Sequence, residues 1–376
     1  MLSQNKFKSE YIIEVYDYKI GMEGILVIDN TVLGPGKGGI RMTHNVTVEE
    51  VIRLAKTMTL KNALANIPFG GAKAGIKWEG GSEQLKKDYI QSFARLIEPF
   101  IPKKYIAGPD INTGEKEMQW FAQAIGSWSS ATGKPKNFCQ EAKVKNRKCG
   151  IPHEAGSTGF GVAQSTKIAS EILGIGIKNA TVSIHGFGNV GSFAYKFLTE
   201  IGAKVVAIAD KSAALFSPEG FDKDSIERLI KEKKELSQYR GKAGKIDRDD
   251  FWDIPVDILI PASITDSINE TNKEKIKAKI IVEAANIPMR EYIEEEFFEK
   301  GVLIVPDLIA NAGGVISSYA EHKGYQLEKM FKMVEEKIKK TTQLVLKESI
   351  KRNKNPRQVA IEIAQNKIES KMKRKG

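Results

Sequence analysis

The segment Gly186-Phe-Gly188-Asn-Val-Gly191 lies between a run that reads as a buried strand, Thr181 to His185, and an amphipathic helix predicted from about Val190 onward. Glycines at the first, third and sixth positions of such a strand–turn–helix permit a tight turn and the close approach of a pyrophosphate. The free N–H groups and the dipole of the helix N-terminus attract that anion. The segment therefore predicts a doubly wound parallel sheet that binds a dinucleotide.

An acidic residue follows the motif at the expected distance. The next predicted strand, Lys204 to Ala209, ends beside Asp210, which is 22 residues after Gly188. A carboxylate at this place can accept hydrogen bonds from the adenine ribose hydroxyls, which favours NAD. Lys211 and Ser212 follow directly and could hold the 2′-phosphate of NADP. The sequence thus predicts NAD or NADP and leaves the choice open.

The pattern of alternating strands and helices continues beyond the motif. Further strands are predicted at Asp257 to Ile260, Lys279 to Val282 and Val302 to Val305. We therefore expect an α/β fold class, with a Rossmann-type, doubly wound nucleotide domain over residues 157–318.

The two ends of the chain differ from this central part. Strands at Tyr11 to Val15 and Gly24 to Ile28, followed by a helix with the capping box Thr47-Val-Glu-Glu50, predict an α/β domain over residues 1–156. Residues 319–376 are helical and highly charged, and we expect these C-terminal helices to return to the first domain.

Two lysines lie where lysines are uncommon. Lys73 follows an Ile-Pro-Phe-Gly-Gly-Ala run, and burial there would favour its neutral form, so it can act as a base. Lys61 falls on the apolar stripe of the helix that begins after Thr47, where an anionic ligand such as a carboxylate would compensate its charge. The alternative for both is a lysine whose stem covers the core while its ammonium reaches water.

Composition excludes few classes. Lys plus Arg total 58 against 47 acidic residues, but no nucleic-acid motif accompanies this charge, and the basic stretch 134–148 is expected to be solvated surface. No apolar run approaches the roughly 20 residues that span a bilayer, so we expect a cytoplasmic protein without nucleic-acid or membrane partners. Cys139 and Cys149 are too few for a disulfide framework or a cysteine zinc site, so no metal is predicted. Their ten-residue spacing could allow a bridge between them, but two free thiols are the prediction.

Several motifs in order resemble those of the glutamate, leucine, phenylalanine and valine dehydrogenases, and the match runs nearly end to end. They are Gly34-Pro-Gly-Lys37-Gly-Gly-Ile-Arg-Met, Met58-Thr-Leu-Lys61-Asn-Ala, Gly70-Gly-Ala-Lys73, Gly108-Pro-Asp110, Ser157-Thr158-Gly-Phe-Gly161, the Gly186 segment, Glu283-Ala-Ala-Asn286 and Asn311-Ala-Gly-Gly314. This resemblance implies oxidative deamination of an L-amino acid to a 2-oxo acid and ammonia. It also implies that the first domain binds substrate and forms a closed homo-oligomer, with a hexamer favoured.

The resemblance also assigns roles. Lys73 is similar to the catalytic lysine that activates water, Asp110 to the aspartate that exchanges protons with the substrate amino group, and Lys61 to the α-carboxylate receptor. Thr158 would lie beside the nicotinamide carboxamide, and Asn286 and Asn311 would line the cofactor and substrate site. The remaining cofactor-binding residues implied are Gly186, Phe187, Gly188, Asn189, Val190, Asp210 and Lys211.

Substrate choice depends on fewer positions. Lys37 and Ser318 match residues that bind the side-chain carboxylate in glutamate-specific members, so L-glutamate is the predicted substrate. The short N-terminal region and the total length look more like leucine dehydrogenases, which keeps a branched-chain (leucine or valine) dehydrogenase as the alternative. A second alternative is a non-catalytic regulatory or nucleic-acid-binding protein on the same fold. Ala74 and Ile287 depart from the family pattern, because both replace glycines usual in glutamate members.

Overall fold

The computed structural model describes residues 8–140, 148–152 and 155–374, and the chain forms two compact units. Unit 1 comprises Met1–Ala155, Gly314–Met333 and Ile361–Gly376, and unit 2 comprises Gly156–Gly313 and Val334–Ala360. The sequence predicted that all of 319–376 returns to the first domain. The structure differs here, because residues 334–360 group with unit 2.

Unit 1 is built on a five-stranded mixed sheet. Strand order is β1-β2-β4-β3-β5, in which β3 runs parallel to β4 and β5 while β2 runs antiparallel to β1 and β4. The strands are β1 Tyr11–Asp17, β2 Met22–Asn30, β3 Gly36–Thr43, β4 Gly70–Lys77 and β5 Tyr105–Pro109, and the helices are α1 Val48–Leu64, α2 Glu83–Leu96 and α3 Glu115–Ile125. Strands β1 and β2 confirm the two predicted near the N-terminus.

The prediction of a Rossmann-type sheet is confirmed in unit 2. Its strand order is β11-β10-β9-β8-β12-β13-β14, and the five strands from β9 to β14 in that order are parallel. The strands are β8 Thr181–His185, β9 Lys204–Ala209, β10 Ala214–Phe216, β11 Gly244–Ile246, β12 Ile258–Pro261, β13 Ile280–Val282 and β14 Leu303–Val305. The helices are α4 Ser157–Ile172, α5 Asn189–Glu200, α6 Lys223–Lys231, α7 Glu291–Glu299 and α8 Asp307–Ala310.

Three helices end the chain: α9 Gly313–Lys323, α10 Leu327–Arg352 and α11 Pro356–Lys373. The first turn of α11 is fixed within unit 2 by Arg357, which is buried among three carboxylates. Arg357 Nε lies 2.5 Å from Glu294 and Nη1 lies 2.8 Å from Asp307, and Nη2 pairs with Glu283. Burial raises the pKa of Glu283, which favours a protonated carboxyl in a cluster that otherwise has more acids than bases.

Cys139 and Cys149 form a disulfide with an S–S distance of 2.10 Å, so the prediction of free thiols was wrong. The two residues are directly opposite in a short antiparallel hairpin of β6 (Cys139–Gln140) and β7 (Lys148–Cys149). Their spacing of ten residues does not reveal this register, which depends on the hairpin. The rest of the basic stretch between them, 141–147, lies outside the described residues.

No helix in the described ranges combines the length and the apolar character needed to cross a bilayer.

Candidate active site and dinucleotide site

Lys73 lies in the middle of β4 and is 5% exposed. Glycines around it allow its strand to pack against its neighbours without side chains between them. A Cβ on Gly71 would lie 2.0 Å from Thr59 Oγ1 of α1, and one on Gly38 would lie 1.6 Å from the Ala72 carbonyl oxygen. Gly71 and Gly38 are thus explained by the close packing of β4 against α1 and against β3.

Asp110 follows β5 and forms an ion pair with Lys73, with Oδ1 2.8 Å from Nζ. Burial would raise the pKa of Asp110, but the charges of Lys73 and Arg41 lower it to about 2. The carboxylate is therefore ionised, and it lies within proton-exchange distance of the Lys73 ammonium.

Arg41 is a site residue that the sequence reasoning missed. Its Nε donates to Asp110 Oδ2 at 2.9 Å, and its Nη1 donates to Glu50 Oε1 at 2.5 Å. The predicted capping box is present in one half only. The Thr47 side chain accepts the Glu50 N–H, whereas the Glu50 carboxylate holds Arg41 instead of the helix N-terminus.

Lys37 is 3% exposed on β3, and its Nζ donates to the Ala107 carbonyl oxygen at 3.0 Å. The ammonium occupies the place that a side chain at Gly108 would fill, because a Cβ there would lie 2.2 Å from Nζ. Burial lowers the pKa of Lys37 to about 7, while the nearby charge of Glu321 raises it. Such a lysine can receive a carboxylate or exist as a neutral amine.

The other two predicted substrate-binding residues also lie in unit 1. Lys61 is buried near the C-terminal end of α1, and the next residue, Asn62, donates to the Gly70 carbonyl oxygen at the start of β4 at 2.6 Å. Ser318 is half-buried on α9, one turn before the buried Glu321.

Lys134 corrects the expectation of a solvated basic stretch. Its side chain is fully buried and lies 2.6 Å from Glu321 Oε1. No local pattern indicates this pair, because its partners are 187 positions apart in the chain.

The glycine motif of unit 2 has one position that the protein itself leaves open. Gly186 has φ of +107°, and a Cβ there would lie 2.5 Å from the Ser263 nitrogen, while a Cβ on Gly191 would lie 1.8 Å from the Gly186 oxygen. A Cβ on Gly188 would meet no atom within 4 Å, and no side chain caps the helix α5 that it precedes. The turn thus offers free space and an uncapped helix N-terminus, which fit a pyrophosphate.

The neighbours of that turn differ in exposure. Asn189 is the exposed first residue of α5, Val190 is half-buried, and the Phe187 ring meets Tyr195 edge-on at 5.7 Å. Thr158 is the second residue of α4, whose N-terminus also lacks a side-chain cap.

Asp210 follows β9 as predicted, but its carboxylate is largely occupied. Oδ1 accepts hydrogen bonds from the Ser212 N–H and hydroxyl and from the Ala213 N–H, and Oδ2 accepts one from the Leu236 N–H. Lys211 pairs with Glu235 at 2.8 Å. Asp210 therefore organises its own loop, and Oδ2 retains acceptor capacity for a ribose hydroxyl.

Asn286 and Asn311 are brought together by the structure. Asn311 Nδ2 donates to Asn286 Oδ1 at 2.9 Å and to the Ala284 carbonyl oxygen at 3.2 Å. The following residue, Ile287, has φ of +49°, a left-handed conformation that is unfavourable for a β-branched side chain. This left-handed backbone gives a physical reason for the glycine that is usual at this position in glutamate members. This chain adopts the same conformation with isoleucine.

A doubly wound unit with an open, uncapped glycine turn, and a unit with a buried lysine paired to a half-buried aspartate, define a dinucleotide-dependent dehydrogenase. Comparison with known proteins specifies it further. The family model described as Glutamate/Leucine/Phenylalanine/Valine dehydrogenase matches residues 149–376, and that described as Glu/Leu/Phe/Val dehydrogenase, dimerisation domain, matches residues 12–127. The chain belongs to this family, as its motifs indicated.

Three similar proteins illustrate the relationship. The chain is 38% identical over 296 residues to the NADP-specific glutamate dehydrogenase of Saccharolobus shibatae, covering 78% of this chain and 69% of that protein. It is 36% identical over 309 residues to the NAD-specific glutamate dehydrogenase of Clostridioides difficile, covering 78% and 70%. The crystal structure of glutamate dehydrogenase from Peptoniphilus asaccharolyticus matches with a TM-score of 0.82 at 27% identity, covering 98% of this chain and 92% of that one.

Proposed function

We propose that the protein oxidatively deaminates L-glutamate, converting L-glutamate, water and NAD(P)⁺ into 2-oxoglutarate, ammonia and NAD(P)H. The observation that carries this choice is Lys37, whose ammonium is buried beside Gly108 with a carbonyl oxygen as its hydrogen-bond partner. A carboxylate on the substrate side chain would pair with this ammonium through a charge-assisted hydrogen bond, whereas an apolar side chain would offer it no partner and gain no such bond. The names of the two relatives support the same substrate.

The residues of unit 1 would carry the proton transfers. Lys61 binds the substrate α-carboxylate, and Lys37 with Ser318 binds the side-chain carboxylate. Asp110 takes a proton from the substrate ammonium, which releases the nitrogen lone pair for iminium formation. The amine of Lys73 then takes a proton from water as the water oxygen bonds to Cα and the C=N π bond opens. Asp110 returns its proton to the nitrogen, and the C–N bond breaks as the hydroxyl proton passes to Asp110, which leaves the 2-oxo acid and ammonia. The ion pair of 2.8 Å between Lys73 and Asp110 supports this exchange.

In unit 2, the open turn at Gly188 and the N-terminus of α5 would hold the cofactor pyrophosphate, with Asp210 toward the ribose. Thr158, Asn286 and Asn311 would line the remainder of the cofactor site. When bound, the nicotinamide ring supplies the acceptor for the hydride that leaves the substrate Cα. Names of relatives support either NAD or NADP.

The test of this function is a spectrophotometric assay of NAD(P)H production with glutamate, leucine and valine and each oxidised cofactor. We expect glutamate to be the preferred substrate, and equal rates with leucine or valine would end the specificity proposal. Lys73→Ala should abolish turnover while dinucleotide binding, measured by fluorescence, survives. Salt-dependent DNA binding without activity on any amino acid would favour the non-catalytic alternative.

We also propose a closed homo-oligomer, with a hexamer favoured. Strand β1 is an edge of the unit 1 sheet, and it and the turn after it expose large side chains, with Ile12, Tyr16 and Tyr18 at 50%, 59% and 77% exposure. An apolar sheet edge of this kind is a natural surface for assembly. Light scattering after size exclusion would give the subunit number. A cytoplasmic location stays a prediction, which cell fractionation would test.

A further inference from the structure

The buried pair of Glu321 and Lys134 has no part in the chemistry described above. Glu321 Oε1 lies 2.6 Å from Lys134 Nζ, and Oε2 accepts hydrogen bonds from the N–H groups of Gly133 at 2.7 Å and Ile151 at 2.9 Å. Lys134 Nζ also donates to the Ala131 carbonyl oxygen and lies 3.8 Å from the centre of the Trp128 ring. Glu321 thus ties α9 to both ends of the segment from 133 to 151.

Helix α9 is held at a second point, at the start of the catalytic strand. The rings of Tyr319 and His322 meet Phe69 edge-on at 5.6 and 5.4 Å, and Phe69 directly precedes β4. Ser318 is on the same helix, one turn before Glu321. The two anchors therefore fix the position of Ser318 relative to the strand that carries Lys73.

The same pair contributes to the electrostatic surroundings of Lys37. The charged groups that act on Lys37 are Glu321, which stabilises its ammonium, and Lys134 and Lys73, which destabilise it. Another titratable group that interacts with Lys37, His322, is neutral at physiological pH because burial and nearby lysines lower its pKa to about 4. Glu321 is thus the one acid among the groups that bias Lys37 in the described residues.

We propose that Glu321 is a positioning and specificity-determining residue, which holds Ser318 in place through α9 and supplies the negative charge that keeps Lys37 ready for a substrate carboxylate. Lys134 has the opposite effect on Lys37, because its positive charge partly cancels the negative charge of Glu321. This inference rests on the proposed function, because it gives Lys37 and Ser318 the role of binding the side chain of glutamate.

Two single variants of the full-length enzyme should move one measurement in opposite directions. The measurement is the pH above which KM for glutamate begins to rise as Lys37 loses its proton. Glu321→Gln removes the charge but keeps an oxygen for the two N–H groups, so this pH should fall by about one unit and KM at pH 8 should rise about tenfold. Lys134→Met should shift the same pH upward and lower KM at pH 8. In both variants kcat and KM for the cofactor should stay within about threefold of wild type. A purely structural defect would instead change these constants as well.

The double variant Lys134→Met/Glu321→Gln removes both charges, so its KM at pH 8 should lie closer to wild type than that of Glu321→Gln alone. Unmoved profiles in both single variants, or a double variant worse than Glu321→Gln, would overturn the inference. Circular dichroism and thermal melting report folding, and if Glu321→Gln does not fold, the profile of Lys134→Met decides alone.

If the wild type does not turn over glutamate, the proposed function fails separately. The inference is then decided by the rate of reductive methylation of Lys37 against pH, read by mass spectrometry. The rate should begin to rise at lower pH in Glu321→Gln than in wild type, and identical profiles would overturn the inference.

Discussion

Gly108→Ala is the sharpest test of how the substrate side chain is recognised. The new Cβ would lie 2.2 Å from Lys37 Nζ, and contacts of Cβ atoms under 3.0 Å are essentially never seen. The ammonium must therefore move by at least the difference, 0.8 Å. Because Nζ is the end of a flexible side chain, the fold can accommodate this movement, and the free energy of unfolding should fall by less than about 1 kcal/mol.

The cost should appear in substrate binding. The displaced ammonium loses its alignment with the substrate carboxylate, and with it the hydrogen bond proposed between them. A hydrogen bond to a charged group contributes about 1.5–3 kcal/mol, so kcat/KM for glutamate should fall roughly 10- to 100-fold. Most of this loss should lie in KM, because the proposed contact of Lys37 is with the side chain of the substrate and not with the reacting carbon.

The assay is initial-rate kinetics with glutamate at pH 7, accompanied by thermal melting. Gly114→Ala is a matched control in the same unit, because its Cβ would lie 3.6 Å from Glu117 Oε2, an ordinary contact. The control should keep wild-type KM. If Gly108→Ala binds glutamate as wild type does while remaining folded, Lys37 does not recognise the substrate.

Three further changes test the framework around the site. Asp110→Asn should lower the free energy of unfolding by about 2 kcal/mol at pH 7, because the native pKa of Asp110 is lowered from 3.8 to about 2. The stability that the carboxylate contributes is present above pH 4 and is lost as the pH falls toward 2. A stability difference between wild type and variant that grows as the pH falls would contradict this. Ile287→Gly should raise the unfolding free energy by up to about 1 kcal/mol by relieving the left-handed backbone, and urea denaturation that shows a loss above 1 kcal/mol would refute this. Arg357→Met removes the single cation from its cluster and should destabilise unit 2 by about 3–5 kcal/mol; a change below 1 kcal/mol in guanidinium denaturation would show that the cluster is not an ion pair.

Features encoded by short stretches of chain were predictable. The turn at Gly186 and the strands on either side depend on neighbouring residues, so the pattern of apolar runs and glycines predicted the fold of unit 2, including the glycine turn at which we propose that the dinucleotide binds. The helix cap at Thr47 was predictable for the same reason. Local pattern, however, gave Glu50 the wrong partner, because the competing attraction comes from Arg41 on a neighbouring strand.

Contacts between distant parts of the chain were not predictable. The partners in the Glu321–Lys134 pair and in the Arg357 cluster come from separate elements, and only the tertiary structure brings them together. The prediction of free thiols was wrong for a related reason, since the disulfide depends on the register of a hairpin that the spacing of the two cysteines does not determine. Asp210 follows β9 as predicted, but the sequence does not show that its carboxylate accepts hydrogen bonds from the backbone of its own loop.

The pKa of about 7 for Lys37 resolves a conflict between substrate recognition and stability. A site for a dicarboxylate needs a cation in the pocket, yet a permanently charged group would be costly to bury whenever the pocket is empty. The one nearby acid that stabilises Lys37 already pairs with Lys134, so it compensates the charge only in part. A lysine can release its proton in the empty pocket and regain it when a carboxylate arrives, whereas an arginine would stay charged throughout. On the proposed function, a titratable residue at position 37 would therefore let the substrate site remain stable when empty and still select an acidic side chain.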